Sequence, residues 1–276
     1  MKTYRFVTTK GSVTIPFDIR IREGWNTGTL VSIEKQKDGA LLLRKESICD
    51  CGKNTTESPF DYKNHTRLFI PGDMPLPDNQ SEEYRRAIAD KIIELVKATN
   101  GHTAILFTSY SVLQSVYEMT KDALSDYQLI CMTRSNKSAI ADFKKSKNAV
   151  LFASGAMWEG VDCAGDGLSS VIIARLPFPL RSATMEQKKD KYSSVTEFVR
   201  KVAVPEMIIK LRQGVGRLIR NETDTGLVAV LDARAYSGAN AGKVQDVLKK
   251  YTRVQSTEDI RKFFRDVKND AYFESL

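Results

Sequence analysis

The chain has 276 residues, 42% hydrophobic and 28% charged, the make-up of a soluble globular protein with one large domain or a medium one beside a small one. No apolar run approaches the length of a membrane span, and the opening Met1-Lys2-Thr3-Tyr4-Arg5 lacks the apolar block of a secretion signal. Four cysteines in so long a chain make no disulfide framework, which predicts a cytoplasmic protein. The net charge of +8 suits contact with phosphate backbones but does not by itself select nucleic acid.

From Met1 to about Lys45 the pattern is short strands and turns. Tyr4, Phe6 and Thr8 alternate with polar neighbours, Lys10-Gly11 reads as a turn, and Val13-Thr14-Ile15 reads as a second strand stopped by Pro16. Leu30-Val31-Ser32-Ile33 and Leu41-Leu42-Leu43 then flank a hairpin turn at Asp38-Gly39. So short an all-β module, residues 1–45, buries little surface and is expected to need a partner copy. A polar linker over 46–57 leads to an α/β domain over 58–276. Its strand candidates are 103–108, 128–132, 149–154, 169–174 and 226–231, continuous apolar runs of the kind found in a mostly parallel sheet covered on both faces. Between them lie helices. Ser81 caps one, with Glu82 and Glu83 in its first turn and Gly101 beyond its end. Ser256 and Asp259 start another, whose stripe is Ile260, Phe263, Phe264 and Val267.

Ligands of open α/β sheets bind beyond the carboxyl ends of the strands, and three segments sit there. In Gln213-Gly214-Val215-Gly216-Arg217-Leu218-Ile219-Arg220, a helix started by Pro205 would bury Met207, Ile208, Leu211, Val215, Leu218 and Ile219. Glu206, Lys210, Gln213, Arg217 and Arg220 would then fall on the other side, with Arg217 and Arg220 as neighbours on one exposed face. Two interior glycines, each costing about 1 kcal/mol against alanine, favour close approach by a ligand or backbone over a merely solvated basic face. The loop Gly155-Ala156-Met157-Trp158-Glu159-Gly160-Val161-Asp162-Cys163-Ala164-Gly165 follows a buried strand. Its carboxylates could hold water or Mg²⁺, orient a neighbouring arginine, relay motion, or simply be solvated. In Phe107-Thr108-Ser109-Tyr110, hydroxyls and helix N–H groups could take a backbone phosphate, and plain N-capping by Ser109 is the competing reading.

In combination and order these three strings resemble helicase motifs IV, V and VI of the DinG/XPD branch of superfamily 2. Ser58-Pro59-Phe60-Asp61, Leu176-Pro177-Phe178-Pro179 and Leu231-Asp232-Ala233-Arg234 are also similar to that branch, and the resemblance runs from about Ser58 to Phe264. It implies a second RecA-like, P-loop-type domain. Gln213, Arg217 and Arg220 would face ATP·Mg²⁺ on a partner domain, the arginines stabilising charge on the transferring phosphoryl group. Glu159, Gly160 and Asp162 would belong to the nucleotide side of motif V, where the two carboxylates would couple that site to bound single-stranded DNA. Thr108 and Ser109 would lie toward the strand.

The 276 residues contain no Gly-x4-Gly-Lys-Ser/Thr loop and no Asp-Glu-x-His box; Gly238-Ala239-Asn240-Ala241-Gly242-Lys243-Val244 has too short a spacing. No iron–sulfur cluster is expected, since Cys131 and Cys163 are isolated and read as core residues. Cys49-Asp50-Cys51 is a weak metal hint, so no metal site is assigned. At the N-terminus, Lys10-Gly11-Ser12-Val13-Thr14-Ile15-Pro16 with Ile19-Arg20, Gly24 and Gly28 resembles the AbrB/MazE/SpoVT swapped-hairpin family. That resemblance implies a homodimer that binds duplex DNA through Lys10, Arg20 and Arg22. The leading expectation is a helicase half whose ATPase site needs a separate Walker-bearing chain. A non-catalytic DNA-binding dimer with a degenerate RecA-like domain is the alternative, and a fragment whose motifs persist unused is a third.

Overall fold

The computed structural model describes residues 15, 31–36, 38, 40–45, 60–132, 138–154, 165–180, 182–219 and 221–274. The chain divides into two compact units, Met1–Ser58 and Pro59–Leu276. In the first, β1 (Val31–Lys35) and β2 (Leu41–Lys45) pair antiparallel, with Ile33 opposite Leu43 and Lys35 opposite Leu41. The Gln36 N–H donates to the Ala40 carbonyl at 2.8 Å, and the Asp38 carboxylate accepts from the Ala40 N–H at 3.0 Å. Asp38 thus supplies turn chemistry, in a loop longer than the two-residue hairpin type. Ile15 belongs to no regular element. The other expected N-terminal strand residues lie outside the described residues, as do Lys10, Arg20, Arg22 and the 46–57 linker.

The second unit is built on a seven-stranded, all-parallel sheet in the order β5-β6-β4-β7-β8-β3-β9. In chain order, β3 (Thr66–Phe69) leads to α1 (Glu82–Ala98), β4 (Thr103–Phe107), α2 (Tyr110–Thr120) and β5 (Leu129–Cys131). Next come α3 (Ala139–Lys145), β6 (Val150–Ser154), β7 (Ser170–Ile173), α4 (Ala183–Lys189) and α5 (Val204–Val215). The unit closes with β8 (Gly226–Val230), α6 (Ala241–Leu248), β9 (Thr252–Val254) and α7 (Thr257–Val267). Side chains of a strand alternate between faces, so each strand feeds two cores. Ala104, Leu106, Leu151, Val171, Ile173, Val228 and Val230 pack with Phe143 of α3, Met207 and Leu211 of α5 and Val244 of α6. Ile105, Phe107, Val150, Phe152, Ile172, Leu227 and Ala229 pack with Ile88 and Ile92 of α1, Leu113 and Val116 of α2, and Phe263 and Phe264 of α7. Helices therefore cover both faces, as the continuous apolar runs predict.

All five expected strands form, each within one residue of its expected bounds. β3 and β9 are additions. β3 opens on the polar pair Thr66-Arg67, which leaves only the short buried apolar run Leu68-Phe69-Ile70, and β9 is a three-residue edge strand with no buried side chain. Ser81 caps α1, accepting from the Tyr84 N–H at 3.2 Å, and Gly101 follows the end of α1 at φ +79°. Ser256 and Asp259 form a reciprocal capping box at the start of α7. Ile260, Phe263 and Phe264 are buried, while Val267 lies at the exposed border of the stripe. Among the described residues no helix is long and apolar enough to cross a membrane.

Candidate functional site

Because β4, β7 and β8 are adjacent and parallel, the residues that follow each of them meet at one end of the sheet. Thr108 and Ser109 leave β4, Arg175 leaves β7, and Asp232 leaves β8. Ser109 caps α2, its hydroxyl accepting from the Val112 N–H at 3.5 Å and lying 2.9 Å from the Ser111 hydroxyl. Capping is therefore what Ser109 does in this structure; both it and Thr108 remain half-buried at the sheet end. Tyr84, from the first turn of α1, brings its ring under this corner. The Tyr84 residue is 1% exposed and its hydroxyl has no hydrogen-bond partner. Burial, reinforced by Asp232, holds its phenol above the ordinary tyrosine range against the opposing pull of Arg175 and Arg234.

Asp232 organises the neighbouring loop. It is fully buried and accepts from the Leu176 N–H at 2.9 Å. It also accepts from the Arg234 N–H at 3.0 Å, Arg234 Nε at 2.9 Å and Arg234 Nη2 at 2.7 Å. The Arg234 guanidinium lies 4.8 Å from the Phe178 ring centre. Leu231-Asp232-Ala233-Arg234 and Leu176-Pro177-Phe178-Pro179, distant in sequence, are thus one structural knot, a forked charge pair closing over an aromatic ring.

The arginine segment departs from the expected single helix. Pro205 does not open a free helix. The helical path starts earlier, at Val195–Phe198, passes through a π turn at Val199–Ala203, and continues as α5. A proline lacks the N–H that the regular ladder requires, and the wider turn before it accommodates that gap. At the far end α5 stops at Val215. The Gly216 N–H bonds back to the Arg212 carbonyl at 2.9 Å, and Arg217 and Leu218 continue as a tight turn through bonds to Gly214 and Val215. A Cβ on Gly216 would lie 2.9 Å from the Arg212 carbonyl oxygen, which accounts for the second glycine. Met207, Leu211, Val215, Leu218 and Ile219 are buried as expected, whereas Ile208 is half-buried. Arg217 does not sit on an exposed helical face. It lies half-buried in the turn, and its Nε is buried with no hydrogen-bond partner. Gln213 is exposed on the last turn of α5. Arg220 lies outside the described residues.

Glu159, Gly160 and Asp162 also lie outside the described residues, within 155–164. The end of their loop is described: Gly165 sits at φ +68°, its N–H donating to Asp224 Oδ1 at 3.1 Å. Gly238-Ala239-Asn240-Ala241-Gly242-Lys243-Val244 is a turn that runs into α6, with Gly238 at φ +102°. Cys131 is half-buried against the core, and burial raises its thiol pKa. Among the described residues no three His, Cys, Asp or Glu side chains gather to hold a metal ion. Sequence reading passed over Arg175, Tyr84 and Asn79. Arg175 carried a usable signal, a cation directly after a buried strand, where ligands of such sheets bind.

Comparison with known proteins matches residues 92–251 to the helicase C-terminal domain family. The chain is 32% identical over 222 residues to the ATP-dependent DNA helicase YoaA of Haemophilus influenzae, covering 77% of this chain and 33% of that protein. It is 35% identical over 191 residues to the 3'-5' exonuclease DinG of Bacillus subtilis, covering 64% of this chain and 20% of that protein. The chain therefore spans a third or less of these relatives. Among solved structures, an XPD helicase and an apo XPD superpose with TM-scores of 0.54 and 0.55 at 19% and 17% identity. They cover 70% and 71% of this chain and 36% and 40% of theirs, and they establish the shared fold. The matched segment, more than half of the chain, assigns it to the helicase C-terminal domain family.

Proposed function

We propose that this chain is the C-terminal half of an ATP-dependent nucleic-acid helicase, supplying the arginine side of an ATPase site completed by a Walker-bearing partner domain. The observation that carries this reading is Arg217. A buried Nε with no partner is an uncompensated donor, and an anionic ligand oxygen arriving from outside the chain would satisfy it. Gln213 and Arg220, four residues before and three after it, would complete the set facing the nucleotide. The phosphates and Mg²⁺ would be held by the partner, whose phosphate loop this sequence lacks. This chain's part would be electrostatic: a guanidinium facing the charge that develops on the transferring phosphoryl group. Glu159, Gly160 and Asp162 would link that site to a single strand of DNA running past Thr108 and Ser109. The first unit would bind duplex DNA as an AbrB-like homodimer through Lys10, Arg20 and Arg22, in the cytoplasm. A purely tethering role has less support, since it gives the family membership and the orphaned Arg217 nothing to do.

The test is DNA-stimulated ATP hydrolysis by this chain combined with a Walker-bearing helicase half. Arg217→Ala and Arg220→Ala are each expected to lower turnover by about 10³-fold or more. Equal turnover by wild type and both variants would remove the arginines from the reaction.

A further inference from the structure

The two edges of the seven-stranded sheet are built differently. β5, Leu129-Ile130-Cys131, carries no charge of its own, whereas β9, Thr252-Arg253-Val254, lies in a row of cations. β9 pairs with β3 on one side, and among the described residues no strand pairs with its other side. Its outward N–H and C=O groups are a template for one more strand. Lys63, whose carbonyl accepts from the Thr252 hydroxyl at 2.5 Å, Lys249, Lys250 and Arg253 are exposed along this margin. None of the four pairs with a carboxylate among the described residues. Two of them are held in place by rings. Lys250 Nζ lies 3.7 Å from the Tyr62 ring centre and 5.1 Å from that of Tyr251, and the Arg253 guanidinium lies 5.4 Å from that of Tyr236. Tyr62 and Tyr251 meet edge to face at 5.5 Å, which fixes the rings beneath Lys250. Tyr251 is buried in the core formed with α5 and α6, and Arg253, two residues on, projects to the same face of the sheet.

We infer that β9 and its cations form a docking edge for an acidic, extended segment of a partner protein, which adds to the sheet as a further strand. The segment's backbone pairs with the free side of β9, and carboxylates on alternate residues meet Lys250 and Arg253. Cations already fixed over rings lose little freedom when they are paired. Cations that served only to blunt a sheet edge would be needed at β5 as well. A nucleic-acid strand would call for open ring faces to stack on, but Tyr251 is 4% exposed and the Tyr62 ring lies under Lys250. Backbone and positive charge are what this margin offers, and a peptide strand bearing carboxylates uses both. The inference does not rest on the helicase reading.

The experiment is fluorescence anisotropy of the full chain with a labelled peptide of alternating glutamate and valine. Binding is expected, weakening as salt rises, and a peptide of alternating lysine and valine should not bind. Lys250→Glu combined with Arg253→Glu is expected to lower the affinity by about tenfold or more, and the paired Gln variants should fall between that and wild type. Thermal unfolding midpoints matching wild type establish that the variants are folded. Strand addition is read from the peptide, which leaves the protein untouched. Methylating one alternate set of its backbone nitrogens should abolish binding, and methylating the other set should not, since only one set faces β9. Any other pattern overturns strand addition. A charge-reversed variant that binds as wild type does, or a wild type that binds no acidic peptide, overturns the docking edge. Oligothymidylate bound through Lys250 and Arg253 in place of the peptide would assign the margin to nucleic acid and overturn it equally.

Discussion

At Arg217 the protein leaves a buried Nε without a partner, an arrangement that costs about 1–3 kcal/mol in a folded chain. Such a cost is met readily when the group has work to do on a ligand. Asp232 illustrates the opposite use of an arginine, a pair fully satisfied within the fold. Removing that carboxylate would leave the Leu176 N–H and the Arg234 fork without their acceptor. Asp232→Ala is expected to lower stability by about 3 kcal/mol in urea unfolding, while Arg234→Ala, whose side chain is 33% exposed, costs less. His102 supplies a pH response. It is 4% exposed and stacked on Tyr272 at 4.2 Å between ring centres. Burial lowers its pKa from 6.5 to about 4, against the pull of Asp166 and with the help of Lys268. The unfolded chain therefore binds a proton that the folded chain refuses between these values. Stability from this group is complete above pH 6.5 and is lost as pH falls toward 4, by up to about 3 kcal/mol. His102→Asn, which tolerates the local φ of +47°, should flatten the pH dependence of unfolding in that window. An unchanged slope would clear His102 of the effect.

Among the elements, the turn after α1 is the most tightly specified. Asn100, Gly101 and His102 all have positive φ, at 56°, 79° and 47°. A Cβ on Gly101 would stand 2.3 Å from the Asn148 carbonyl oxygen. Gly101→Ala combines a left-handed backbone with a collision against another backbone segment, and is expected to lose about 3 kcal/mol by thermal or urea unfolding. A variant as stable as wild type would show that this turn can relax. The start and stop of α1 and the start of α7 were legible in the sequence because caps are local: Ser81, Gly101, Ser256 and Asp259 act within a few residues of where they stand. The central strands were legible because burial on both faces leaves unbroken apolar runs. β9 was not, since an edge strand needs no such run. The end of α5 was not either. Helical spacing continues through Leu218 and Ile219, and only the packing at Gly216 shows that the backbone turns and carries Arg217 inward. The meeting of Tyr84, Ser109, Arg175 and Asp232 depends on strand order, which no local pattern encodes.

For the whole molecule, the second unit has the full two-faced core of an α/β domain. In the proposed reading it supplies side chains to a nucleotide that a partner's phosphate loop holds. The first unit contributes a described hairpin with Ile33 and Leu41 exposed, at 66% and 61%, on the face that also bears Leu43. Apolar area of that kind fits the proposed homodimer, and deleting residues 1–45 is expected to abolish a duplex-DNA gel shift if that unit binds DNA. The division of labour in ATP hydrolysis is the larger claim, and it has a direct measurement. Steady-state ATP hydrolysis with single-stranded DNA should be recorded for this chain alone, for a Walker-bearing helicase half alone, and for the two mixed. The half-site reading predicts background turnover from this chain by itself and DNA-stimulated turnover only in the mixture. Robust hydrolysis by this chain alone, or a mixture no faster than the Walker-bearing half, would contradict it.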